Sequence, residues 1–275
     1  MGWGMKKPVL AVLLIGTLAA QSAVAAIVEQ LDYRAVYKGT FSFGQSLPIA
    51  DVQFETRELD GSSSLQETRI TASSENYEHV ESFYPMRYRF RTWASAVDGR
   101  LVGFENYERT KRTRHRLYLR DDDGTDFRRY DLRDGTGADV VASLEAGINP
   151  AAPPRDEFID RLGLLQKIRG HELAIDDQFS FPVTRGKEEL SYEVKVEAAE
   201  QIVVGETPVE AVKVRLEGYE WDDEGQLEPA HRPIFIWFSS DERHVPLRIE
   251  SRHAIGTFRV ELNTPPALAL NGGVD

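Results

Sequence analysis

From residue 26 onward, side-chain polarity alternates with a period of two, a pattern that restricts the chain to a mainly β architecture. Leu31, Tyr33, Ala35 and Tyr37 share one face of the first segment, and Val52, Phe54 and Thr56 share one face of a later one. Successive side chains of a strand point to opposite sides, so such runs make two-faced surfaces whose apolar side must be covered. The clearest hairpin spans 86–111, with Asp98-Gly99 between two alternating runs. Asp-Gly supplies the positive φ angles of a type I′ turn. A two-residue turn there sets Trp93 opposite Phe104, Phe90 opposite Tyr107 and Arg89 opposite Glu108, pairs that stabilise a ladder. Acidic turns at 121–124 and 221–225 separate further strands around 114–120, 126–133, 209–218 and 233–238. Ile255-Gly256 divides a last pair, 245–251 and 257–263.

Helix is scarce. The principal candidate covers about 155–169, with Pro153-Pro154 in front, Asp156 and Glu157 in the first turn, Lys167 and Arg169 in the last, and Gly170 as the stop. Phe158, Ile159, Leu162, Leu165 and Ile168 recur at helical spacing and form one apolar face. A weaker candidate covers 139–145. The expected fold is therefore mainly β: a curved antiparallel sheet or partly open β-barrel packed on one principal helix. A single domain over 26–264, a seam near 147–154 and a flexible tail over 265–275 complete the outline.

The first 25 residues read as a cleaved secretion signal. Met5, Lys6 and Lys7 form a positive start, Val9 to Ala20 is a charge-free apolar run, and Ala23-Val24-Ala25 has the small-x-small pattern of a cleavage site. That run is shorter than the roughly 20 apolar residues a bilayer span needs, and none of comparable length follows. The expected location is the periplasm, as a soluble exported protein without a transmembrane span after cleavage. Cysteine is absent, which removes disulfides, thiolate metal sites, Cys nucleophiles and the lipidated cysteine of a lipoprotein. Lys6 and Lys7 leave with the signal, so the 33 basic residues fall to 31 against 45 acidic ones and the formal charge goes from −12 to −14. Phosphate-backbone binding wants a net basic face, so nucleic acid is not expected as a partner.

Residues 160–262 carry a recognisable order of features. Asp160, Leu164, Leu165 and Arg169 are followed by Gly170, Phe179-Ser180-Phe181-Pro182-Val183 and Gly186-Lys187. Later come Val212-Lys213-Val214, the run from Ile236-Trp237-Phe238-Ser239-Ser240-Asp241 through Arg243, Pro246 and Arg248 to Ile249, and Gly256 before the last strand. In this order, and in the opening from Leu31-Asp32-Tyr33 to Gly44, the chain resembles the exported bacterial family known as domain of unknown function 3108. The Arg-rich middle, 87–133, has no counterpart in that pattern. The resemblance implies an envelope location and a curved sheet wrapped against helix, and it implies no activity. Such an architecture is similar to that of periplasmic lipoprotein carriers, whose half-open barrels hold acyl chains, an analogy at the level of fold.

Two constellations stand out as candidate binding features. In the register above, Arg87, Arg89 and Arg91 share a sheet face with Arg112, Arg114 and Arg116; guanidinium groups gathered there either grip an anionic partner bidentately or face solvent, neutralised by Glu188, Glu189, Glu193 and Glu197. Tyr88, Phe90, Phe158, Leu162, Phe235 and Trp237 either line an apolar cavity between sheet and helix or pack as core. Catalytic and metal sites are not expected. Starting an EF-hand loop at Asp121 puts Asp126 where glycine belongs, and the six histidines lack ligand spacing. Ser239, Ser240, Asp241 and His244 sit too close in sequence to converge as a triad. The expected function is a non-enzymatic binding or carrier module for an apolar or amphipathic ligand, without cofactor. The alternatives are an envelope assembly factor that docks an anionic protein through the arginines, and a glycan or lipid hydrolase. Oligomeric state is left open.

Overall fold

A computed structural model describes residues 26–266, apart from 62, 122, 125, 152–156 and 223. The expected secretion signal, residues 155–156 of the expected helix, part of the seam at 147–154, residue 122 of the turn at 121–124, residue 223 of that at 221–225 and the tail from 267 lie outside the described residues.

Two antiparallel meanders form one sheet. The first runs β1 (Ala26–Gly39), β2 (Ser46–Leu59), β3 (Leu65–Ser73), β4 (Arg87–Ser95), β5 (Leu101–Arg109), β6 (Thr113–Arg120) and β7 (Phe127–Asp131). The second runs β8 (Gln178–Thr184), β9 (Glu189–Val204), β10 (Thr207–Trp221), β12 (Ile234–Ser239), β13 (Pro246–His253) and β14 (Gly256–Leu262), with the short β11 (Leu227–Pro229) beside β10. Pairing of β1 with β14 joins them, so the order is β7-β6-β5-β4-β3-β2-β1-β14-β13-β12-β10-β9-β8. A sheet this wide curls, and bulges such as those at Ala35/Val36, Lys213/Val214 and Trp237/Phe238 sharpen the bend. The ends β7 and β8 approach without pairing, giving an open barrel-like sheet.

The link between the meanders carries two helices to opposite faces. α2 (Ala138–Glu145) lies outside, where Leu144 packs with Leu65, Trp93 and Leu117. α3 (Arg161–Arg169) lies inside, its Leu164, Leu165 and Ile168 against Leu31, Phe54, Val194, Val214 and Ile236. Gln166 Nε2 donates to Thr56 and Thr68 hydroxyls at 3.2 and 3.3 Å, and Arg169 donates twice to the Glu29 carboxylate at 2.7 Å. α1 (Glu78–Glu81) is a single turn between β3 and β4.

The helical expectations change in two ways, and the hairpin register changes as well. The helix starts at Arg161, not 155, because Ile159 instead bridges the free edge of β8: Thr184 N–H donates to Ile159 O at 2.8 Å and Ile159 N–H to Pro182 O at 3.3 Å. A covered edge outweighs one more helical turn. Two helices of similar length, on opposite faces, also replace a single principal one.

A further correction concerns register. Asp98-Gly99 belongs to a longer loop closed by Ser95 N–H to Arg100 O, 2.9 Å, and a bulge follows at Trp93/Ala94. Trp93 therefore faces Gly103, Phe90 faces Asn106 and Arg89 faces Tyr107. One residue of slip reverses which face of β5 and β6 meets which face of β4.

Candidate functional site

A cavity of about 410 Å³ lies between α3 and the inner face of the sheet. Ile70, Leu162, Leu164, Leu165, Leu216, Ile234, Ile236 and Ile249 line it, and Tyr192, His231, Arg232, Ser251 and His253 supply polar groups. Strand parity explains the apolar wall: Leu216 pairs with Ile234, and Ile236 with Ile249, all on the side that carries α3. His231 is held between Tyr192, whose hydroxyl lies 2.8 Å from Nε2, and the Arg232 carbonyl, 2.8 Å from Nδ1. A carbonyl can only accept, so Nδ1 of the imidazole donates to it.

A second cavity, of about 590 Å³, fills the gap where the barrel fails to close. Phe90, Phe104, Asn106 and Tyr118 form its floor; Arg114, Arg116 and Arg129 rise from β6 and β7, Arg161 from the start of α3, and Arg185 and Lys187 from the β8–β9 turn. Glu108, Glu188 and Asp160 are its acids. Arg161, Leu162 and Arg185 line both cavities.

Local structure positions these groups. Asp160 caps α3, accepting from Gly163 N–H at 2.9 Å and from the Thr92 hydroxyl of β4. Burial pushes its carboxyl above the ordinary value, and those two donors pull the other way. Gly186 has φ 101°, and a Cβ there would lie 2.1 Å from the Tyr118 ring. Glycine thus lets the β8–β9 turn rest on β6 and sets Arg185 and Lys187 over the cleft.

Not all sequence candidates meet here. Phe90 and Leu162 line the cleft, and Tyr88 stacks beside Phe90 with 6.1 Å between ring centroids, its phenol pushed up to about 12 chiefly by burial. Phe158 stands in the extended segment before α3 and lines a separate surface cleft with Phe181 and His171. Phe235 and Trp237 lie on the face of β12 away from the cavity, where Trp237 is buried and Phe235 half-buried. Lys213 lies 4.8 Å from the Phe235 ring centre, and the Arg248 guanidinium 5.6 Å from that of Trp237. Their neighbours Ile234 and Ile236 take the inner wall, because alternation reveals two faces without saying which is inside.

The six arginines do not share one surface. Arg87, Arg89 and Arg91 lie on the outer face, where Arg87 pairs with Glu75 and Glu81 at 2.8 Å, Arg89 with Glu105 at 3.0 Å, and Arg91 with Glu105 and Glu145. These acids, not those of β9, neutralise them. Arg114 and Arg116 lie on the inner face, and Arg112 stands in the β5–β6 turn. Sequence reasoning missed Arg129, Arg161, Arg185 and Lys187. Arg161, Arg185 and Lys187 stand at an element start or in a turn and Arg129 in the middle of the short β7, and their convergence is tertiary.

Ser239, Asp241 and His244 form a braced turn. The Ser239 hydroxyl donates to Asp241 at 2.6 Å and accepts from Val245 N–H at 2.8 Å, while His244 Nδ1 faces the Arg169 carbonyl at 2.9 Å. Among the described residues no group of three potential ligands could hold a metal ion, and no helix is long and apolar enough to cross a membrane.

A family model described as "Protein of unknown function (DUF3108)" matches residues 32–263. No curated protein matches the chain. Among solved structures the chain is similar to a β-barrel-like protein of domain of unknown function DUF1849 from Brucella abortus, at 11% identity over 86% of this chain and 97% of that one, TM-score 0.44. It is also similar to a protein with a YmcC-like fold from Bacteroides fragilis, at 10% identity over 85% and 93%, TM-score 0.28.

Proposed function

The chain belongs to the DUF3108 family of proteins of unknown function, and from that premise we propose that it is a non-enzymatic binding or carrier module for an apolar or amphipathic molecule. One observation carries this reading: the sheet and α3 leave a cavity of about 410 Å³ walled by leucine and isoleucine, within the roughly 300–1,000 Å³ range of small-molecule sites. The cavity opens to solvent, so its leucines and isoleucines present an uncovered apolar wall of the kind an apolar ligand buries. Work in the periplasm, in a soluble form, belongs to the same proposal and rests on the pattern of Lys6, Lys7, the apolar run Val9 to Ala20 and Ala23-Val24-Ala25.

Solvent extraction of the purified protein followed by mass spectrometry tests the reading. A lipid-like small molecule approaching one per chain is the expected result, together with loss of that molecule from Ile236→Trp, which fills the chamber. Protein that carries nothing, and after delipidation takes up no amphiphile, would overturn it.

A further inference from the structure

The inner face of the sheet is apolar from β8 through β2, and its character changes at one sector. There Asn106, Glu108, Arg114, Arg116 and Arg129 point the same way as the core residues Phe104 and Tyr118. With Arg161, Arg185 and Lys187, this makes six cations facing three acids in one cleft, in a chain whose formal charge is −12. Local charge thus runs against the sign of the whole molecule.

Internal pairing accounts for little of it. Arg185 lies 3.2 Å from Glu188 and Arg114 3.9 Å from Glu108, while among the described residues Arg116, Arg129, Arg161 and Lys187 stand in no salt bridge. Arg185 Nε is shut off from solvent and has no acceptor. A buried donor without an acceptor is costly, and so is a gathering of like charges; an anion in the cleft relieves both. Guanidinium forks match the two oxygens of a carboxylate or phosphate. The amino end of α3 adds a favourable dipole.

Position gives the head a tail. Arg161, Leu162 and Arg185 line the basic cleft and the apolar chamber alike, so a ligand can lie across both. Building on the reading of that chamber as a ligand site, we infer that the ligand is an anionic amphiphile, its oxyacid head held by Arg116, Arg129, Arg161, Arg185 and Lys187 and its chain in the apolar chamber. A neutral amphiphile would leave Arg116, Arg129, Arg161 and Lys187 without an ion-pair partner among the described residues, and a free anion would leave the chamber empty.

Affinities of the delipidated full chain for dodecanoate, dodecyl phosphate, dodecanol and inorganic phosphate test the inference. Both chain-bearing anions are expected to bind about ten-fold or more tightly than dodecanol, as charge-assisted hydrogen bonds require, and inorganic phosphate much more weakly than dodecyl phosphate. The tighter of the two anions identifies the head as carboxylate or phosphate. Arg116→Gln with Arg161→Gln should bring the anion-to-alcohol ratio close to one and leave dodecanol binding in place; Arg215→Gln with Arg252→Gln, an equal loss of charge on the outer face, should not change it. If the double variant does not fold, Lys187→Gln at the exposed turn should lower the same ratio. Dodecanol binding as tightly as the anions, or inorganic phosphate as tightly as dodecyl phosphate, overturns the inference and leaves the carrier reading standing. Failure of all three chain-bearing compounds to bind takes the carrier reading with it.

Discussion

Burial pushes the Asp160 carboxyl upward while Gly163 N–H and the Thr92 hydroxyl donate to it, so this one side chain is asked to be an acceptor more than to be an anion. Asp160→Ala removes the cap and leaves both donors unmet, at an expected cost of about 1–2 kcal/mol in denaturant unfolding. Asp160→Asn keeps an acceptor for Gly163. A carboxyl raised by folding contributes stability below its ordinary value of 3.8 and loses that contribution as pH rises through the folded value. Asp160→Asn should therefore gain on the native protein between acid and neutral pH; losing ground over that range would contradict the burial argument. The helix stop at Gly170 was readable at this scale, because local chemistry decides it. The roles of Phe235 and Trp237 were not, since the same alternation fits either face until the partners of Ile234 and Ile236 are known.

Among elements, the β8–β9 turn shows how a loop shapes a site it does not belong to by sequence. Gly186 at φ 101° leans on Tyr118, and Gly186→Ala brings both a strained backbone and a steric overlap. The expected effect is a loss of about 1–3 kcal/mol together with weaker uptake of an anionic amphiphile, because Arg185 and Lys187 move off the cleft. An unchanged urea midpoint and unchanged binding would show that the contact is dispensable. The same scale explains the β4–β5 error. Asp98-Gly99 correctly marked a hairpin, yet loop length and the bulge at Trp93/Ala94 set the parity, and parity separated Arg87, Arg89 and Arg91 from Arg114 and Arg116. Likewise, Phe158 and Ile159 obey helical spacing, but the uncovered edge of β8 claims the backbone of Ile159.

For the molecule as a whole, the outer face carries an alternating charge lattice that should make stability acid-sensitive. Burial opposes ionisation of Glu55, Glu105 and Glu250, yet arginines win: Arg57 and Arg69 around Glu55, Arg91 and Arg89 with His115 around Glu105, Arg252 and Arg259 around Glu250 all hold the carboxyl below its ordinary 4.5. Glu67 runs the other way, raised by burial. Carboxylates lowered by folding contribute fully above 4.5 and lose that contribution as pH falls through their folded values. These three outnumber the two raised carboxyls, Glu67 and Asp160, so the unfolding midpoint should drop as the pH falls below 4.5; a flat profile would show that these pairs add nothing net. Period-two alternation, the scarcity of helix and the absence of cysteine by themselves determined that the chain makes a mainly β sheet held together by packing, since these depend on each residue and its near neighbours. The direction in which the sheet curls, the face each helix covers and the meeting of β6, α3 and the β8–β9 turn were decided only in three dimensions. Curling the open sheet brings together residues some seventy positions apart, such as Tyr118 and Gly186, and contacts at that range leave no periodic trace in the chain.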